Sequence, residues 1–133
     1  MASYQTSKGT TSELIAQELL TSKGFSVHTP ISDESYDLIA HENGTRVSFR
    51  VQVKTLQVRT DRENALVVKA VKSNGRPYTV DEVDYILAVD LDNTTGYLVE
   101  NTGQKEYWSK DYETAERKWS KLSFGTNEYG DVV

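Results

Sequence analysis

Cysteine is absent from this 133-residue sequence, and with it go disulfides, thiolate metal sites and cysteine nucleophiles. Long apolar runs are missing too. The longest span four residues, as in Ile86 to Val89, against the roughly 20 that a membrane helix needs. The polar opening MASYQTSKGTT has no apolar core of the kind a secretory signal carries. No GxxxxGK[ST] or GxGxxG pattern supports nucleotide binding. The only two histidines, His28 and His41, lack metal-ligand spacing and join no Ser-His-Asp pattern. What remains reads as one domain over residues 1–133, cytoplasmic, with no membrane partner.

Acidic residues outnumber basic ones 20 to 15, yet the balance is uneven. Residues 46–76 carry 8 basic and 2 acidic groups, between flanks of net charge −4 and −7. A basic block between acidic flanks suits a localised anionic partner better than general stickiness.

Thr10-Thr11-Ser12-Glu13 reads as a capping box, with Thr10 as N-cap and Glu13 three residues on. Ile15, Ala16, Leu19 and Leu20 then recur at helical spacing, and Gly24 is the expected stop. Strands are expected over 25–29, 36–41, 46–55, 65–71, 85–91 and 97–100, and a second helix over 111–122. Trp108, Tyr112 and Trp119 could stack on bases, although Tyr112 and Trp119 read more simply as core. The element order implies an α/β or α+β sandwich.

Asn43-Gly44 is a strong hairpin signal. A two-residue turn there sets Leu38 against Phe49, Ala40 against Val47 and Asp37 against Arg50. Burial of the apolar set then puts Asp37, Gln52 and Lys54 on one face. Glu13, sharing a helix stripe with Ala16 and Leu20, sits at the edge of the buried side and can look toward the same corner. Two acids, an amide oxygen and a lysine suit a hard divalent cation acting on a phosphodiester.

These residues resemble the signature of the PD-(D/E)XK nucleases: Tyr36-Asp37 on one strand, Gln52-Val53-Lys54 on its neighbour, and Glu13 on the preceding helix. Tyr36 stands where that signature has proline, and Gln52 where it has Asp or Glu. The stretches YDLIAHENGTRVSFRVQVKT and YTVDEVDYILAVDLDNTTGYLVE are most similar to the branch containing group I intron homing endonucleases, which looks to have the same Gln-x-Lys form. The resemblance covers roughly residues 8–100.

It implies a restriction-endonuclease-like α/β core, a mixed central sheet flanked by helices. It also implies a Mg²⁺-dependent endonuclease acting on double-stranded DNA, with Mn²⁺ as a substitute. Asp37, the Gln52 oxygen, the Val53 carbonyl and Glu13 would hold the ion, and Lys54 would act on the attacking water. Arg46, Arg50, Arg59, Arg62, Lys69, Lys72 and Arg76 are the expected phosphate contacts, with any base reading from residues 57–76. Cutting both strands calls for a homodimer or homotetramer. The rivals are a Holliday-junction-resolvase-like nuclease, an inactive DNA-binding module (for which Gln52 is the argument) and an acidic protein-interaction domain.

Overall fold

Ala16, Leu19 and Leu20 fall on one helical face, and all three are completely buried. They anchor helix α1 (Tyr4–Ser22) in a computed structural model that describes residues 4–125. The expected capping box is not formed. The chain is helical from Tyr4, so Thr10 and Glu13 are interior positions. Gly9 and the polar residues around it weaken the local signal, but a helix nucleated by the Ala16–Leu20 contacts propagates backwards at little cost. The stripe runs through Ser12, which is buried, leaving Glu13 exposed. Gly24, at φ +91°, ends the helix where expected.

Six strands form one mixed sheet, in the order β1 (Phe25–His28), β2 (Leu38–Glu42), β3 (Ser48–Thr55), β6 (Tyr85–Asp90), β7 (Thr95–Glu100) and β9 (Ser120–Ser123). Among the described strands only β3 and β6 run parallel. A second sheet takes β4 (Gln57–Arg59) and β5 (Ala65–Lys69), from the chain between β3 and β6, and β8 (Glu106–Ser109), which follows β7, in the order β4, β5, β8. With the short helix α2 (Tyr112–Lys118), this sheet belongs to the layer opposite α1. Val51, Val53, Leu87 and Val89 pack with α1, whereas Ile86, Ala88, Tyr97 and Val99 pack with Leu66, Val68, Ala115 and Trp119. Gly96 lets α1 approach: a Cβ there would meet Leu87 Cδ1 at 3.0 Å and Leu19 Cδ1 at 3.2 Å.

Three local expectations change. The helix expected over 111–122 stops at Lys118, and Trp119 is extended. Trp119 and Leu122 then pack into opposite cores, which a continuous helix stripe would not allow. Within the stretch expected to read bases, β4 and β5 pair as a two-stranded ribbon, but β8 pairs along the far side of β5, so the ribbon is one part of a packed sheet. The β2–β3 hairpin has a four-residue turn, with the Glu42 N–H donating to the Val47 carbonyl at 2.9 Å. Asn43 is tied elsewhere: its N–H donates to the Gly24 carbonyl at 3.0 Å and its Oδ1 accepts from Ser26 Oγ at 2.5 Å. It therefore does not adopt the positive φ that a type I′ turn needs. Leu38 pairs with Val51 and Ala40 with Phe49, a shift of two residues that preserves every side chain's face.

Among the described residues, no helix is long and apolar enough to cross a membrane.

Candidate active site

The two-residue shift matters most at Asp37. It lies one residue before β2, and the observed register brings the start of that strand to Val51 instead of Phe49. Its N–H donates to the Val51 carbonyl at 2.9 Å, and its Oδ2 accepts the Val53 N–H at 2.8 Å. The carboxylate thus takes the place of a partner strand that has not yet begun. A residue's N–H and C=O leave a strand on the same side, so the Val53 carbonyl also points toward Asp37.

Gln52 and Lys54 share the face opposite α1, as their β6 partners Ile86 and Ala88 show. Lys54 Nζ donates to the Val71 carbonyl at 3.3 Å and sits 5.3 Å from the centre of the Tyr78 ring. The ammonium is therefore held in place without a bonded carboxylate, and its charge reaches Asp37. The half-buried Gln52 amide makes no side-chain hydrogen bond among the described residues, so its oxygen is available.

Glu13 approaches from the helix. Ser12 Oγ and Thr55 Oγ1, 2.6 Å apart, fix that turn of α1 against the end of β3. Glu13 is exposed overall, yet partial desolvation of its carboxyl raises its pKa, and the charge of Asp37 raises it further. Asp37 is itself pushed up by burial, against the opposing pull of the Val53 N–H and the Lys54 charge. Two acids that each gain from losing charge mark a place where a cation would be welcome. Among the described residues no three His, Cys, Asp or Glu converge on one point. The candidate donors are oxygens and sparing in charge: Asp37 and Glu13, which sense each other's charge, with the Val53 carbonyl and the Gln52 amide on the strand beside Asp37. That suits Mg²⁺, which takes one or two carboxylates and keeps several waters.

The basic block divides. Arg50 serves the fold, with Nε and Nη2 on Asp84 at 3.1 and 3.0 Å and a further bond to the Asp81 carbonyl. Arg59 pairs with Asp61, Arg62 with Glu106 and Lys72 with Glu82, at 2.7, 2.7 and 2.6 Å. Arg46, Lys69 and Arg76 have no ion pair among the described residues. Of the aromatic candidates, Trp119 is buried, while Trp108 is 55% exposed. His41 bonds Ser48 Oγ at 2.8 Å and His28 is exposed, so neither reaches the site.

A family model described as PD-(D/E)XK endonuclease matches residues 4–120. The chain belongs to that family. That family is one of DNA-cleaving nucleases whose members generally use divalent metals, which supports a nuclease function for this chain. The match extends past residue 100 through β8 and α2, further than the sequence resemblance reached. Among solved structures, the bacterial homing endonuclease I-Ssp6803I is similar at 22% identity and a TM-score of 0.63, over 84% of this chain and 78% of that one. At that identity the likeness bears on the fold, which is the restriction-endonuclease-like core expected from the sequence. No curated protein matches the chain.

Sequence reasoning missed the groups that hold the site in shape: the Val71 carbonyl and the Tyr78 ring beneath Lys54, and Asp84 on Arg50. All lie in loops or at strand ends far along the chain, where no spacing rule links them to Gln52-Val53-Lys54.

Proposed function

We propose that this PD-(D/E)XK protein is a Mg²⁺-dependent endonuclease that hydrolyses phosphodiester bonds in double-stranded DNA at specific sites, in the manner of a homing endonuclease. The observation that carries this reading is the bond from the Val53 N–H to Asp37 Oδ2. It ties the acid of one strand to the Gln-x-Lys of the next, on the side where the Val53 carbonyl also points. Asp37, Gln52 Oε1 and the Val53 carbonyl would hold the ion, with Glu13 ligating directly or through water. When bound, a divalent cation supplies Lewis acidity and counter-charge for the scissile phosphate. Lys54, pinned by the Val71 carbonyl, orients the attacking water and steadies charge developing on phosphorus-bound oxygen. Arg46, Lys69 and Arg76 come first as phosphate contacts, because no acidic partner must be given up. Arg59, Arg62 and Lys72 can join only by exchanging theirs. Cleavage of both strands is assigned to a dimer or tetramer.

The neutral Gln52 favours one other reading, a DNA-binding module without catalysis. Supercoiled plasmid with Mg²⁺ or Mn²⁺ separates the two. The wild-type protein should nick it, and Asp37→Ala and Lys54→Ala should each lose about 10³-fold, the scale seen when a group stabilising a transition state is removed. Nicking that survives both substitutions, or none on a plasmid library of randomised sites or on four-way-junction DNA, removes the nuclease reading. Preference for the junction over duplex would redirect it to a resolvase.

A further inference from the structure

Glu82 lies outside the signature, yet its carboxylate collects four donors. Oε2 accepts from Ser35 Oγ at 2.5 Å and from Lys72 Nζ at 2.6 Å. Oε1 accepts from the Thr79 N–H and Oγ1, both at 3.1 Å. Each of the first two donors belongs to a different arm of the site. Ser35 is two residues before Asp37, in a stretch without regular structure. Lys72 follows Val71, whose carbonyl holds Lys54, and it begins a small hairpin. That hairpin is closed by the Val71–Pro77 bridge and by the Lys72 N–H bond to the Arg76 carbonyl at 2.8 Å.

The base under Glu82 is firm. Asn101 is buried, and its Nδ2 donates to the carbonyls of Tyr78, Thr79 and Val83 at 3.2, 3.0 and 2.9 Å. Its Oδ1 accepts from Tyr107 Oη at 3.1 Å and the Gly103 N–H at 3.0 Å. The 78–83 loop is thus locked to the end of β7, and it carries both Glu82 and the Tyr78 ring that Lys54 rests on.

We infer that Glu82 is a positioning residue: one carboxylate on a rigid loop sets the distance between the Asp37 arm and the Lys54 arm. The geometry stands on its own, while the consequence for cleavage rests on the nuclease reading above. A displacement of reacting groups by about 1 Å can cost about 100-fold in rate, so a tie at this point controls turnover more than affinity.

Amide hydrogen exchange by NMR tests the tie without reference to activity. Ser35→Ala should speed exchange at the Val53 amide, which bonds Asp37, by about tenfold through local opening, leaving Lys72 and Gly75 at wild-type rates. Glu82→Leu should loosen Val53 and the hairpin amides of Lys72 and Gly75 together. Leu87 and Val99, in the core, should not change in either variant. In plasmid nicking, Ser35→Ala should lower kcat about tenfold at unchanged KM for DNA, and Ser35→Thr, which keeps the hydroxyl, should recover it. Wild-type exchange at Val53 in both Ser35→Ala and Glu82→Leu overturns the inference. So does a lowered Tm with unaltered kcat in an otherwise active protein. Were the wild-type protein not to nick DNA while Val53 still responded, the positioning role would stand and the nuclease reading would fall.

Discussion

β3 and β6 lie side by side, parallel and in register, yet they differ in kind. On the face away from α1, β6 presents Ile86 and Ala88, both fully buried, while its β3 partners are the half-exposed Gln52 and Lys54. On the α1 face both strands are apolar, Val51 and Val53 beside Leu87 and Val89. The difference comes from the second layer. Leu66, Val68, Tyr107 and Trp119 cover β6 and β7, whereas Lys54 on β3 meets the Val71 carbonyl and the Tyr78 ring. Polar groups survive on β3 because water still reaches them there. The candidate site is therefore the place where the covering layer stops, and β6 is the rigid floor beside it.

If that division is right, stability and chemistry should separate between the two strands. Ile86→Ala should cost about 2–5 kcal/mol, the usual range for emptying a packed site, read as a lower midpoint in urea at unchanged slope. Nicking by the protein that remains folded should be near wild type. Lys54→Ala should do the reverse, with little change in midpoint and turnover lost. A Lys54→Ala chain as unstable as Ile86→Ala would mean that Lys54 is a core residue, and the contrast would dissolve.

A smaller effect of the same kind is expected on the α1 face. Gly96→Val drives its side chain into Leu87 and Leu19, at 3.0 and 3.2 Å from a bare Cβ. The strand allows no retreat, because Gly96 pairs with Val89 on one side and Leu122 on the other. Overpacking of this sort costs about 1–3 kcal/mol. A neutral result in thermal unfolding would show that α1 is more loosely seated than its buried leucines suggest.

How much of this was legible beforehand depended on what burial enforces. The side-chain parity of β2 and β3 follows from Leu38, Ala40, Val51 and Val53 needing cover, and it holds. The register does not follow, because a slip of two residues keeps every face. The choice was made by Asn43, whose bonds to Gly24 and Ser26 come from a strand that local turn rules do not see. β4 and β8 escaped notice because they are short, with two of three and two of four residues polar, and are strands only by pairing with β5. Trp119 and Leu122 fit a helical stripe equally well as two positions on either side of a strand, and tertiary packing decided. The candidate site residues form a pattern in the sequence, whereas Glu82, Asn101 and Val71, whose bonds surround them, do not.

Acid should probe the frame more gently. The Arg50 guanidinium holds the Asp84 carboxyl below its usual range. A carboxyl depressed in the folded state contributes stability above its unfolded pKa, near 3.8, and loses it as pH falls through the lower, folded value. Both partners are about one-third exposed, so the contribution should stay below about 1 kcal/mol. Asp84→Asn should therefore destabilise at neutral pH and converge with wild type under strong acid. A constant gap at all pH values would point to lost hydrogen bonds to Arg50 rather than to charge.

The smallest effects belong to the free cations. Arg46 lies in the β2–β3 turn and Arg76 in the 71–77 hairpin, which also supplies the carbonyl holding Lys54. Each phosphate contact releases counterions, so removing one should lower the slope of log affinity against log salt by about 0.9. Arg76→Gln should show that change in DNA binding measured across a salt series, with equal weakening on all sequences. Arg62→Gln should show less, because Arg62 must first leave Glu106. Equal slopes for the two substitutions would mean that DNA strips the surface ion pairs as readily as it finds free charge, and would widen the footprint from the 71–77 hairpin to the whole basic block.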